Sequence, residues 1–283
     1  MTELNTTAPR DRGIAIAVAP NGGRRLKADH PALPISPDEL AECAVACLDA
    51  GASMIHVHVR DDDGRHSLDV ERYRAAIAAI RARVSDRLII QVTTEALGLF
   101  KPAEQIDLVR VLRPEACSIA LREIAPDASY EGDFADLLAW MRRERIVPQI
   151  ILYDSVDLER LEDLLQRGVI PADDIPVLFV LGRYTTHQQS SPLDLSVFTR
   201  SAAVPFAHWS VCAFGRDEAA CAVSAALMGG NVRLGFENNL HLPDGTTAAD
   251  NAALIAPVRN SLHLLGRKIE TAETQRAALE TIW

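Results

Sequence analysis

The chain has 283 residues, 48% hydrophobic and 24% charged, with a formal net charge of −10. That mix excludes a disordered or low-complexity polymer, and the acidic balance argues against a nucleic-acid or anionic-membrane partner. No apolar run reaches the roughly 20 residues of a membrane span.

Residues 1–12 are polar and carry no hydrophobic signal core, which predicts a flexible lead into a cytoplasmic protein. From residue 13 onward, strand and helix patterns alternate. Residues 13–20 (GIAIAVAP) form a continuous apolar run, expected of a strand buried on both faces of a parallel sheet. Ser36-Pro37-Asp38-Glu39 supplies an N-cap, a proline at the first helical position and an acidic first turn; that helix ends at Gly51. Residues 53–60 read as the second strand. Asp69 caps a helix whose apolar positions Val70, Tyr73, Ile77, Ile80 and Val84 step by three and four. Residues 88–94, 116–121, 147–154, 175–182, 206–214 and 231–238 read as the remaining strands. Residues 102–113, 133–145, 156–167, 193–200, 216–228 and 249–266 read as the helices that follow them. Eight such units predict one closed (β/α)8 TIM barrel over residues 13–283. No GxGxxG follows the first strand and no GxxxxGK[ST] occurs, so nucleotide-binding open sheets lose their support. The five cysteines (Cys43, Cys47, Cys117, Cys212 and Cys221) form no CxxC pair and read as buried free thiols.

A barrel places its chemistry at the C-terminal ends of its strands. His56 and His58 are two apart on strand two, so they share a face about 6.6 Å apart and can reach one metal ion. With eight histidines in the chain the spacing alone is a weak signal; the alternative is a pair of hydrogen-bonded core histidines. Glu237 ends strand eight. On closure strands eight and two both flank strand one, which brings His56, His58 and Glu237 together as a three-ligand site with open positions, suited to Zn²⁺. Arg233 lies an even four residues before Glu237 and points the same way, to bind an anionic substrate or to pair with Glu237. Asn21-Gly22-Gly23, beside Arg24 and Arg25, is either an anion-binding turn or a plain loop. Thr93 and Thr94 can hydrogen-bond a carboxylate, yet are ordinary strand formers. Further strand-end candidates are Arg122, Glu123, Gln149, Tyr153, Asp154, His208, Ser210 and Arg216. The acidic run at 61–64 reads as a solvated turn in which Asp61 could orient a ligand histidine.

Residues 51–61 (GASMIHVHVRD) and 233–239 (RLGFENN) resemble the β-keto acid cleavage enzyme family, which includes the 3-keto-5-aminohexanoate cleavage enzyme. So do residues 33–37 and 269–274, and the resemblance runs from about Gly13 to the C-terminus. It implies a (β/α)8 barrel with Zn²⁺ on His56, His58 and Glu237, and acetyl-CoA as co-substrate. The implied reaction condenses a β-keto acid with acetyl-CoA to give acetoacetate and a new acyl-CoA. Arg233 matches an Arg-centred base, Thr93 the catalytic serine, and Asn238 the acidic neighbour of the metal glutamate; a homo-oligomer, typically a tetramer, is implied. Asn238 cannot be an anionic partner for Arg233. Arg24 replaces a glutamate of the strand-one loop, and Gln149 and Ile151 replace two on strand five. The residues expected to face substrate are Asn21, Arg24, Thr94 and Gln149. The missing carboxylates predict a substrate that is neutral or anionic at its distal end. The alternatives are another metal-dependent TIM-barrel lyase, aldolase or hydrolase, or a non-catalytic relative that binds ligand.

Overall fold

A computed structural model describes residues 13–199 and 206–283. The expected lead over residues 1–12, and the expected end of a helix at Arg200, lie outside the described residues. Eight parallel strands form the barrel: β1 (Ile16–Val18), β2 (Met54–Val57), β3 (Ile89–Thr93), β4 (Ala116–Ala120), β5 (Val147–Leu152), β6 (Val177–Leu181), β7 (Trp209–Ala213) and β8 (Asn231–Leu234). They pair in chain order and close through β1 and β8. The expected (β/α)8 barrel is the observed one.

Side-chain alternation explains why the strands read as unbroken apolar runs. On β6, Val177, Phe179 and Leu181 face the helical shell, while Leu178 and Val180 face the barrel interior. The same period puts Ile55 and Val57 of β2, and Val232 and Leu234 of β8, outward, leaving His56 and Arg233 facing in.

Three local features differ from the sequence reading. First, the second strand stops at Val57, and the chain continues into an antiparallel hairpin that pairs Val59–Arg60 with His66–Ser67. The acidic run is the turn of this hairpin. Asp61 accepts from Asp63 N, Arg65 N and Arg65 Nε, so it orients its own turn and no ligand histidine. Second, β7 begins at Trp209, which puts His208 at the wrong end of the barrel for the site, 3.3 Å from Asn231 Nδ2. Third, a C-terminal helix, Ala272–Glu280, closes the bottom: Ala272 and Leu279 pack against Met54, Ile89 and Ala116. All five cysteines are free, and four are buried. No helix among the described residues is long and apolar enough to cross a membrane.

Candidate metal centre at the barrel mouth

His56 lies on β2 and His58 one residue past its end, both buried. Their Nε2 atoms are 3.1 Å apart. Glu237 Oε2 sits 3.3 Å from His58 Nε2 and 3.7 Å from His56 Nε2. A tetrahedral zinc with bonds of about 2.0–2.1 Å has ligand–ligand edges of about 3.3 Å. The three atoms are thus spaced like one face of that tetrahedron. Glu237 Oε2 is also buried without a hydrogen-bond partner among the described residues, a costly state that a cation relieves.

The surroundings prepare the three groups as ligands. His56 Nδ1 is 2.8 Å from Gln91 Oε1; donating there fixes the tautomer and leaves the Nε2 lone pair free. Burial, then the facing Arg233, hold the His56 pKa well below its ordinary value. Burial alone would raise Glu237, but Arg233, His58 and His56 hold it well below the usual carboxylate range. Both groups are therefore deprotonated at neutral pH, as metal binding requires.

Glu237 is held in place by the loops around it. Glu218 accepts from Gly235 N (3.0 Å) and from Asn239 Nδ2 (3.2 Å). Asn251 accepts from Phe236 N and donates to Pro20 O. Burial pushes the Glu218 carboxyl up to about 8. Gly22 has φ +58°, and a Cβ there would lie 2.6 Å from Glu237 Cγ. The positive φ and the closeness of Glu237 both call for glycine here. Gly22→Ala is expected to displace Glu237 and to weaken any divalent-ion binding at this candidate site by about 10–100-fold. Competition titration against a chromophoric chelator checks this.

Arg233 is buried below Glu237. Its Nη2 donates to Glu237 Oε1 (3.0 Å) and to Cys212 Sγ (3.3 Å). Its Nε and Nη1 have no partner among the described residues. Burial works against its charge, but Cys212 and Glu237 hold its pKa above the ordinary arginine value.

A profile of the beta-keto acid cleavage enzyme matches residues 13–280. The chain belongs to the β-keto acid cleavage enzyme family. It is 31% identical over 271 residues to a 3-keto-5-aminohexanoate cleavage enzyme of Fusobacterium nucleatum, covering 94% of this chain and 97% of that one. It is 30% identical over 274 residues to a 3-oxoadipate:acetyl-CoA acetyltransferase of Cupriavidus necator, covering 93% of each. Among solved structures, apo ObcA superimposes with TM-score 0.71 at 17% identity, covering 88% of this chain and 66% of its own.

In this β-keto acid cleavage enzyme the other expected site residues divide. Thr93 lines the cavity beside the metal centre, and its Oγ1 accepts from Glu95 N. Three residues expected at the substrate have other partners. Asn21 donates to Pro34 O and His58 O and so brackets the His58 peptide. Thr94 Oγ1 donates to Ser118 O. Gln149 links Gln91 to Ser210 as a polar floor across the barrel. Arg24 is exposed on the rim. Asn238 is buried with both side-chain polar atoms unpartnered among the described residues. Arg122 is tied to Asp154 and Asp157, and Glu123 accepts from Ala96 N. Sequence reasoning reached Glu95 at the end of strand three without giving it a role, and missed Arg183; both line the cavity, from the loops after β3 and β6. Glu95 Oε2 lies 3.8 Å from His58 Nδ1, near that ring but outside hydrogen-bond distance. Charge at a strand end was the available signal for both.

Proposed function

We propose that this enzyme exchanges the acyl part of a β-keto acid with acetyl-CoA. The C2–C3 bond of the keto acid breaks and a new bond joins C2 to the acetyl carbonyl carbon, so acetoacetate leaves and the former C3 acyl group becomes the new acyl-CoA. The observation that carries this reading is the convergence of two imidazoles and a carboxylate on one point of a cavity that also holds Arg233. His56, His58 and Glu237 would hold a divalent ion there, zinc by its donor set, which would supply Lewis-acid chemistry. Arg233 is a fixed cation, so its part is to stabilise negative charge developing on the substrate through the free Nε and Nη1 donors, rather than to accept a proton. The hydroxyl of Thr93, whose oxygen already accepts from Glu95 N, remains free to donate to a substrate oxygen. Asn238 supplies amide hydrogen bonds in place of an anion. A cytoplasmic homo-oligomer, as a tetramer, belongs to the same proposal.

The test is acetoacetate release from a panel of β-keto acids. The expected result is release that requires acetyl-CoA, stops with a chelator and returns with Zn²⁺. Consumption of the keto acid without acetyl-CoA, giving acetate and the free acyl acid, would put a hydrolytic retro-Claisen cleavage in its place.

A further inference from the structure

The cavity is divided by chemistry. On the β2, β3 and β8 side it carries His56, His58, Thr93, Arg233 and Glu237; on the β4 to β7 side its wall is Ala120, Ile151, Val180 and Phe214. Those four residues pack as one apolar cluster, a wall that favours methylene groups over charge. One charged group closes that side, Arg183. Its side chain is 14% exposed, and its guanidinium lies 5.3 Å from the Phe214 ring and 5.8 Å from that of Tyr184. It makes no side-chain hydrogen bond to a described residue. Glu95 comes no closer than 3.8 Å, beyond hydrogen-bond reach. A guanidinium offers five N–H donors in a planar fork that matches a carboxylate, and those of Arg183 are available to a ligand in the cavity.

Charge balance points the same way. A divalent ion, Arg233 and Arg183 face the carboxylates of Glu237 and Glu95, which leaves two positive charges. A keto monoacid brings one negative charge and a keto diacid brings two. A distal ammonium would add to the excess, and the one carboxylate near Arg183, Glu95, is already shared between that guanidinium and His58. Desolvated charges of one sign in a confined site must be matched by the ligand.

We infer that the preferred substrate is a β-keto diacid, a β-keto acid whose far end carries a second carboxylate, and that Arg183 is the residue that selects it. This rests on the acyl-transfer reading above. The kinetic test compares kcat/KM for 3-oxoadipate, 3-oxohexanoate and 3-keto-5-aminohexanoate, in the wild type, R183M and R183K. The wild type should favour the diacid at least tenfold. The diacid-to-monoacid ratio should fall about thirtyfold in R183M, the size of a charge-assisted bidentate contact, and less in R183K, which keeps the charge but not the fork. A wild type that prefers either other acid overturns the inference. So does an R183M variant that loses both activities with the ratio unchanged, because Arg183 would then hold the carboxylate common to all β-keto acids. Calorimetry with the inert acids adipate and hexanoate gives a second readout. If no keto acid turns over, the acyl-transfer reading fails, yet tighter adipate binding that disappears in R183M still supports the carboxylate site; equal binding of the two acids overturns it.

Discussion

His58→Ala is expected to reduce turnover by roughly 10³-fold or more while leaving the barrel folded, because on the proposed reading it removes a metal ligand. His58 is buried, yet its Nδ1 has no hydrogen bond among the described residues, and its Nε2 faces only His56 and Glu237. Little hydrogen-bond energy is lost on truncation, so the metal-free protein's Tm should move by only a few degrees. A pair of core histidines would give the opposite pattern, with stability lost and turnover retained. His56→Ala should match the loss of turnover and cost more stability, since it also leaves Gln91 Oε1 without its donor. Thermal melts of metal-free protein, run beside steady-state rates, separate the two patterns.

Arg233→Met is the second large effect. Turnover should fall by about 10²–10³, the usual consequence of removing a preorganised charge from a reaction centre. Stability should also change. Arg233 and Glu237 are a largely buried pair at 3.0 Å, and removing one member leaves the other's charge buried without compensation, at about 3–5 kcal/mol. Added Zn²⁺ should recover part of that loss, because the ion supplies a new countercharge to Glu237. The pH dependence has a definite sign. The folded-state pKa of Glu237 is depressed, so its stabilisation is present above the ordinary carboxylate value and is lost as pH falls through the depressed one. Without Arg233 the depression shrinks, so acid unfolding of the variant should begin at higher pH than in the wild type. Denaturant melts across pH 3–7, with and without zinc, check both points.

The barrel was legible because parallel strands covered on both faces read as apolar runs, and β1 (Ile16–Val18) and β6 (Val177–Leu181) are clear instances. The convergence of His56, His58 and Glu237 was legible because it needs only two facts: side chains two apart share a face, and a closed barrel brings strands eight and two around strand one. Loop-borne features were not legible. Glu95 and Arg183 reach the cavity through backbone that leaves the strands in irregular conformations, and no periodicity reports where such side chains point. Asn21 looked like a substrate contact because it stands at a strand end. Its amide instead brackets the His58 peptide, a demand that arises only once the loop after β1 meets the end of β2. His208 was misplaced as a strand-end residue: it precedes Trp209, the first residue of β7, and stands at the end of the barrel away from the site, as it would on a strand drawn from Phe206.

Zinc content and affinity in four proteins, the wild type and its His56→Ala, His58→Ala and Glu237→Gln variants, measured by elemental analysis and competition titration, weigh the shared metal centre most directly. One ion per wild-type chain, with loss of stoichiometric binding in each variant, is the predicted result. A wild type that takes up no divalent ion, or variants that keep one ion per chain at undiminished affinity, would contradict the account.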